Sequence, residues 1–249
     1  MIKHVYGNNI IFLLKYFKKF VEFFIRLFLS TFYNFKNYQK IIISTAMYAP
    51  WIADNKFFKL FLKIQNLTLL DEARAYTLWY LSDSLKNING DILDIGCMKG
   101  GAGIVMAKAN NNMRSKTYFI DTFEGYAISS GNHIKEQTFV YKNLKELKFN
   151  INYFKIKNYE IKKCRFPKKI KLKKKIKMCH LDINIYKDTL KAFIFVDKHL
   201  IKNGVIVFDD YGVHKVDEII QAVNKIKKEF HTKYTIIYNY MGQCIMIKK

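Results

Sequence analysis

The stretch Gly90–Gly103, GDILDIGCMKGGAG, constrains this chain more than any other. Its apolar run, Asp91 to Ile95, is short and bounded by Asp and Gly, so it reads as a buried strand and not as the start of a long helix. Gly96, Gly100 and Gly101 then form a turn, and Ile104-Val105-Met106-Ala107 continues as a helix. Glycines at such a turn permit backbone angles and close approaches that a Cβ would forbid. A helix that opens behind the turn offers unpaired N–H groups to a polar ligand.

The spacing narrows the chemistry. A dinucleotide fingerprint needs G-x-G-x-x-G, and here Met98 stands where its second glycine would sit. A phosphate-binding P-loop needs a Lys-Ser/Thr pair after the turn, and none follows. Asp94-x-Gly96-x-x-x-Gly100-Gly101 after a strand instead resembles motif I of the S-adenosylmethionine-dependent methyltransferases, which makes Asp94, Gly96, Gly100 and Gly101 candidate cofactor residues. The helix 101–110 leads to a second strand, Lys116–Ile120, closed by Asp121. A parallel α/β nucleotide site places an acid there to accept hydrogen bonds from ribose hydroxyls, and Thr122 adjoins it.

Further along, Met178-Cys179-His180-Leu181 has the pattern of a buried strand and delivers Asp182 at its carboxyl end. A helix over 187–201 and a turn at Asn203-Gly204 follow, and Val205–Phe208 delivers Asp209 and Asp210 in the same way. Ligands of an open parallel sheet bind at the carboxyl ends of its strands, so Asp182, Asp209 and Asp210 are expected to converge beside the glycine turn. Carboxylates so gathered repel one another unless a cation lies between them, and hard oxygen donors with room for water suit Mg²⁺ or Mn²⁺. His180, inside a strand, reads as a core residue.

Four segments, GDILDIGCMKGGAG, FIDTFEGY, HLDINIYKDTLKAF and GVIVFDDYG, in this order and at these intervals, resemble the macrocin-type sugar O-methyltransferases of macrolide and aminocoumarin biosynthesis. The resemblance runs from about Leu67 to the C-terminus, where Gly242-Gln243 looks like that family's last strand. It implies a class I methyltransferase fold: a Rossmann-like α/β domain with a mostly parallel seven-stranded sheet and helices on both faces. It also implies S-adenosylmethionine as cofactor and a divalent metal on Asp182, Asp209 and Asp210, binding vicinal hydroxyls of a sugar acceptor. Asp182 would then serve as ligand and general base, because a sugar hydroxyl is too weakly acidic to attack unaided. Two departures stand out: Asn184 replaces the second Asp of the usual Asp-x-Asp-x-Tyr, and Asp94 and Met98 replace a common Glu and aromatic. The same metal logic would serve a catechol or other small diol. The remaining alternative is a basic RNA-binding protein of methyltransferase ancestry, which the intact acids disfavour.

Outside the resemblance, residues 1–62 read as an aromatic helical extension and 63–249 as the catalytic domain. Ile10–Leu29 is nearly continuously apolar, but Lys15, Lys18, Lys19, Glu22 and Arg26 recur at steps of three or four and line one stripe. A membrane-spanning helix would bury those charges at several kcal/mol each, and a cleavable signal would not carry them inside its apolar segment. The pattern fits a helix lying in an anionic membrane interface, or one packed on protein, including a second copy of the chain. Residues 33–62 read as a connection broken at Pro50-Trp51, and 67–86 as a helix burying Leu69, Leu70, Ala73, Tyr76, Thr77, Tyr80 and Leu81.

The net charge of +23 points to an anionic neighbour. The basic run in 159–177 reads as a solvated edge, or as a contact for a phosphate-linked sugar; aromatics are too sparse in it for base stacking, so nucleic acid is disfavoured. Four scattered cysteines without C-x-x-C spacing argue against a disulfide framework or zinc site, and suit a reducing cytoplasm, with the helix at the inner face of the membrane. Tyr126–Phe139 lacks periodicity and reads as a loop or lid over the acceptor. Within it His133, and beyond it Tyr211, are candidate substrate contacts; His214 and Lys215 also follow the Asp-Asp turn.

Overall fold

The computed structural model describes residues 2–32, 48–124, 126–130, 133–138, 144–168, 170–213 and 217–249. It forms two compact units, 1–49 and 50–249. In the first unit one helix, α1 (Ile2–Ser30), covers the expected segment. Phe17, Phe20, Phe24 and Phe28 are exposed along it, and Lys18 reaches Glu22 at 3.7 Å one turn on. No described helix is long and apolar enough to cross a membrane.

The second unit opens with α2 (Pro50–Ala53) and α3 (Asn55–Ile64). Asp54 caps α3 by accepting from the Lys56 and Phe57 N–H groups. Phe57, Phe61 and Ile64 are buried in the core of this unit, so residues 50–62, which composition assigns to the extension, pack as part of the domain. Helix α4 (Glu72–Ser84) is capped by Asp71. Its buried face is Ala75, Leu78 and Ser82, whereas Leu69 and Tyr80, expected inside, are exposed. The helix is so short and mixed in character that its apolar residues do not mark one stripe, and packing against the neighbouring α5 decides which face turns inward: Ser82 Oγ donates to Met106 O at 2.7 Å.

Strand β1 (Asp91–Ile95), α5 (Gly101–Asn110) and β2 (Thr117–Asp121) match the expected strand–turn–helix–strand unit. Residues 126–138, expected as a loop, instead contain two antiparallel strands, β3 (Tyr126–Ser130) and β4 (His133–Thr138). Helix α6 (Leu144–Tyr153), β5 (Tyr159–Lys163), β6 (Ile176–Leu181), α7 (Tyr186–His199), β7 (Leu200–Phe208), α8 (Asp217–Phe230), β8 (Tyr234–Tyr238) and β9 (Cys244–Lys248) complete the chain. Seven strands form one sheet in the order β5-β2-β1-β6-β7-β9-β8. Its neighbours pair in parallel up to β7, and β9 alone runs against them.

Alternate residues of the strands feed two cores. Ile92, Met178, Val207 and Ile245 face the side of α3 to α6, and Leu93, Cys179, Ile206 and Met246 face α7 and α8. Helices thus cover both faces, as an all-but-parallel sheet requires. Among the described residues of the basic run, Lys177 is not at a solvated edge. Lys177 is fully buried, and its ammonium donates to Leu85 O and Ile88 O at 3.0 Å and to Asn110 Oδ1 at 3.2 Å. Its stem belongs to β6, the centre of the sheet, so the run crosses from surface to core before it ends. All four cysteines are free thiols.

Candidate active site

The glycine turn is braced from below by its own acid. Asp94 is fully buried on β1. Its Oδ2 accepts the Gly103 N–H at 2.8 Å, tying the strand to the first turn of α5. Gly96 has φ +90°, and a Cβ there would lie 2.1 Å from the Asp182 carbonyl oxygen. Gly100, the N-cap of α5, also has φ +91°. On β2, Asp121 accepts from the Met98 N–H at 2.9 Å and the Phe123 N–H at 2.8 Å. It thereby shapes the loop at its rim, where Met98 itself holds φ +44°. Burial pushes the Asp121 carboxyl up, and those two N–H bonds partly offset it. Burial also pushes the Cys97 thiol well up, reinforced by the Asp94 and Asp121 charges, so this cysteine is not a thiolate nucleophile.

The second half of the site comes from the ends of β6 and β7. The Asp182 N–H bonds Ile95 O at 2.9 Å, and the Asp209 N–H bonds Leu181 O at 3.1 Å, which aligns the three strand ends. Ligand atoms of His180, Asp182 and Asp209 all lie within 4.8 Å of one another. His180 Nδ1 is 2.8 Å from Asp94 Oδ1. Asp209 Oδ1 accepts from Gln243 Nε2 at 3.0 Å, and its Oδ2 from Arg74 Nη1 at 2.8 Å. Asp210 is held differently, between Arg74 Nη1 at 3.3 Å and Asn184 Nδ2 at 3.1 Å.

The cluster is short of positive charge. Burial, and then the charges of Asp209 and Asp210, push the Asp182 carboxyl well above the usual range. Burial raises Asp209 too, against the pull of His180 and Arg74. Burial alone would lower His180, but its bond to Asp94 and the charges of Asp94, Asp209 and Asp182 outweigh that and raise it to about 9.

The model of the macrocin-O-methyltransferase (TylF) family matches residues 81–237. The chain belongs to the macrocin-O-methyltransferase family. It is an S-adenosylmethionine-dependent O-methyltransferase. Its fold is similar to that of the O-methyltransferase NovP, at a TM-score of 0.64 and 14% identity over 74% of this chain and 82% of that one. The calicheamicin methyltransferase CalS11 aligns at 0.58 and 12% identity, over 82% and 99%. A putative caffeoyl-CoA O-methyltransferase from Staphylococcus aureus aligns at 0.54 and 15% identity, over 78% and 91%. No curated protein matches the chain in sequence.

In this methyltransferase the expected cofactor residues Asp94, Gly96, Gly100, Gly101 and Asp121 gather at the β1–α5 turn. Thr122 adjoins them, its Oγ1 accepting from the Glu124 N–H at 3.2 Å. Asp182 and Asp209 converge with a residue expected in the core, His180. The hydroxyl of Tyr211 is turned to α8, donating to Asn224 Oδ1 at 2.8 Å. His133 lies on β4, and its side chain, like His214 and Lys215, falls outside what is described. Sequence reasoning missed Arg74 altogether. Nothing local marks it, since it reaches Asp209 from a helix on the far side of the glycine turn in sequence. His180 did carry a signal: it lies two residues before Asp182, on the same face of a strand.

Proposed function

We propose that this methyltransferase transfers the methyl group of S-adenosylmethionine to a sugar hydroxyl, with a divalent cation bound at the ends of β6 and β7. The observation that carries the reading is the contact between the two half-sites. Gly96 of the cofactor turn lies against the backbone of Asp182, so closely that no side chain fits between them. An acceptor held by Asp182 is therefore beside the cofactor, and most of the remaining contribution is positioning.

The residues present fit a cation. Ligand atoms of two carboxylates and one imidazole lie within 4.8 Å of one another, His180 Nε2 is buried without a hydrogen-bond partner among the described residues, and burial together with neighbouring acids raises both carboxyls. The bound cation would lower the pKa of a coordinated hydroxyl. Asp182 takes the hydroxyl proton while the oxygen lone pair forms the new C–O bond, and the S–C bonding pair stays on sulfur to give S-adenosylhomocysteine. Asp94, under the turn, holds strand and helix in place by accepting the Gly103 N–H. Asp121 fixes the rim that meets the ribose.

Two surface features support the kind of acceptor and its place. Arg165, Lys168, Lys187 and Lys191 surround a cavity of about 320 Å³, with Arg165 Nε bonded to Asp188 at 2.7 Å. Such a surplus of cations suits a phosphate-linked sugar. The exposed aromatic face and basic stripe of α1 suit an anionic membrane surface.

The test is methyl transfer from labelled S-adenosylmethionine to a panel of free, nucleotide-linked and lipid-linked sugars and to catechol, with and without chelator. Turnover on a sugar that stops with chelator and returns with Mg²⁺ or Mn²⁺ supports the reading. Turnover indifferent to chelator removes the cation, and exclusive turnover of catechol removes the sugar.

A further inference from the structure

We propose that His180 is an inner-sphere nitrogen ligand of the cation, forming with Asp182 and Asp209 a set of one imidazole and two carboxylates, while Asp210 is held out of that set. The inference rests on the preceding reading that a cation binds here, and goes beyond the three aspartates which the resemblance implies.

Three observations carry it. His180 is 1% exposed, and its Nε2 is buried with no hydrogen-bond partner among the described residues. A buried polar atom left in this way is costly unless something outside the polypeptide satisfies it. A ring nitrogen of His180 belongs to a group of ligand atoms within 4.8 Å of one another, together with oxygens of Asp182 and Asp209. The other ring nitrogen, Nδ1, lies 2.8 Å from Asp94 Oδ1. An imidazole whose Nδ1–H is held by a buried carboxylate presents the Nε2 lone pair outward, and metal-bound histidines almost always donate the other ring N–H to a carboxylate, a backbone carbonyl or water. Asp94 would thus fix the tautomer and orientation of the ligand.

Asp210 is not in that group of ligand atoms. One of its oxygens accepts from Arg74 Nη1 at 3.3 Å and the other from Asn184 Nδ2 at 3.1 Å. Asn184, which stands where the family usually has an acid, supplies an N–H donor that a carboxylate could not. Asp209 is likewise hydrogen-bonded, to Arg74 and Gln243, so what separates the two acids is membership of the group and not occupancy.

Two consequences follow. A nitrogen donor shifts preference from Mg²⁺ toward borderline ions such as Mn²⁺, Co²⁺ and Zn²⁺. And Asp94, whose other oxygen accepts the Gly103 N–H at the cofactor turn, links the cofactor and cation sites through a single carboxylate.

The test loads the full chain with Mn²⁺ alone and measures electron spin echo modulation, before any substrate is added. Nitrogen-14 modulation from a directly bound imidazole is expected in the wild type, and its loss in His180→Gln, whose amide can still donate to Asp94. Calorimetry with Mn²⁺ and with Mg²⁺ should show Mn²⁺ affinity falling at least tenfold in His180→Gln, and Mg²⁺ affinity falling less. Bound Mn²⁺ without nitrogen modulation overturns the proposal but leaves the cation in place, whereas failure of Mn²⁺ to bind the wild type overturns both readings. Modulation that survives in His180→Gln also overturns the assignment. The wild-type spectrum decides even if the variant does not fold.

Discussion

Replacing Gly96 with Ala is the sharpest perturbation of the joint between the two half-sites. The residue has φ +90°, and its added Cβ would lie 2.1 Å from Asp182 O and 3.4 Å from Asp182 Cβ. Ordinary contact needs about 3.5 Å, so the strand ends must part by roughly 1.4 Å. The obstructing atom is backbone, itself fixed by the bond between Asp182 N and Ile95 O, and no rotamer change relieves it. A left-handed backbone costs a non-glycine residue about 1–2 kcal/mol, and overpacking a closed core about 1–3 kcal/mol. Together they give a loss of about 2–5 kcal/mol in unfolding free energy, read by urea denaturation followed by circular dichroism. Because relief separates the cofactor turn from Asp182, calorimetry should also show the affinity for S-adenosylhomocysteine reduced at least tenfold in whatever fraction stays folded. An Ala variant within about 1 kcal/mol of wild type that binds the product normally would refute the claim that the two half-sites are in backbone contact.

Lys177→Met should lose roughly 2–4 kcal/mol in the same denaturation, since the carbonyls of Leu85 and Ile88 lose their donor inside the core. Burial lowers the Lys177 ammonium from 10.5 to about 8. Between those values the unfolded chain binds more protons than the native one, so wild-type stability relative to the Met variant should rise as pH is raised from about 8 toward 10.5 and be flat below that window; a gap that narrows there contradicts the sign. Asp94→Asn turns one accepting oxygen into a donor and should weaken S-adenosylhomocysteine binding at least tenfold by calorimetry, and unchanged affinity would remove its role under the turn. Full-length protein should sediment with anionic vesicles and release with salt, while protein starting at Pro50 should stay in the supernatant; equal sedimentation of both would detach the membrane reading from α1.

The fold was legible because its decisive segments carry short-range signals. A buried run ending at Gly96, a helix over 101–110 and a strand closed by Asp121 each follow from a few neighbouring residues, and the structure places them within a residue of expectation. The acids were legible for a different reason: strand ends collect ligands in this topology, and Asp182 and Asp209 end strands. What escaped depends on partners distant in sequence. Arg74 lies on a helix whose apolar residues suggested the wrong inner face, and only the packed α4–α5 pair shows which side turns inward. Lys177 looked like one more solvated charge because nothing in a basic run says where it enters the sheet. The hairpin of β3 and β4 lacks an alternating apolar face, and pairing alone defines it.

His180 was hidden by its neighbours as much as by its burial, since a histidine in an apolar run ordinarily belongs to a core. What changes its meaning is register. Strands β1 and β6 are adjacent and parallel, and they bring Asp94 opposite His180 and Ile95 opposite Leu181. Side chains opposite one another in such a pair emerge on the same face, so the acid of the glycine turn and the residue two positions before Asp182 must meet inside the protein. Given that meeting, an apolar residue at 180 would leave Asp94 buried with one oxygen unserved, and an apolar residue at 94 would leave a buried imidazole with neither nitrogen engaged. Each side chain is intelligible only in the presence of the other, and ligand atoms of His180, Asp182 and Asp209 lie within 4.8 Å of one another. The strand order that sets the glycine turn beside Asp182 is therefore also what sets the ring beside the proposed cation site.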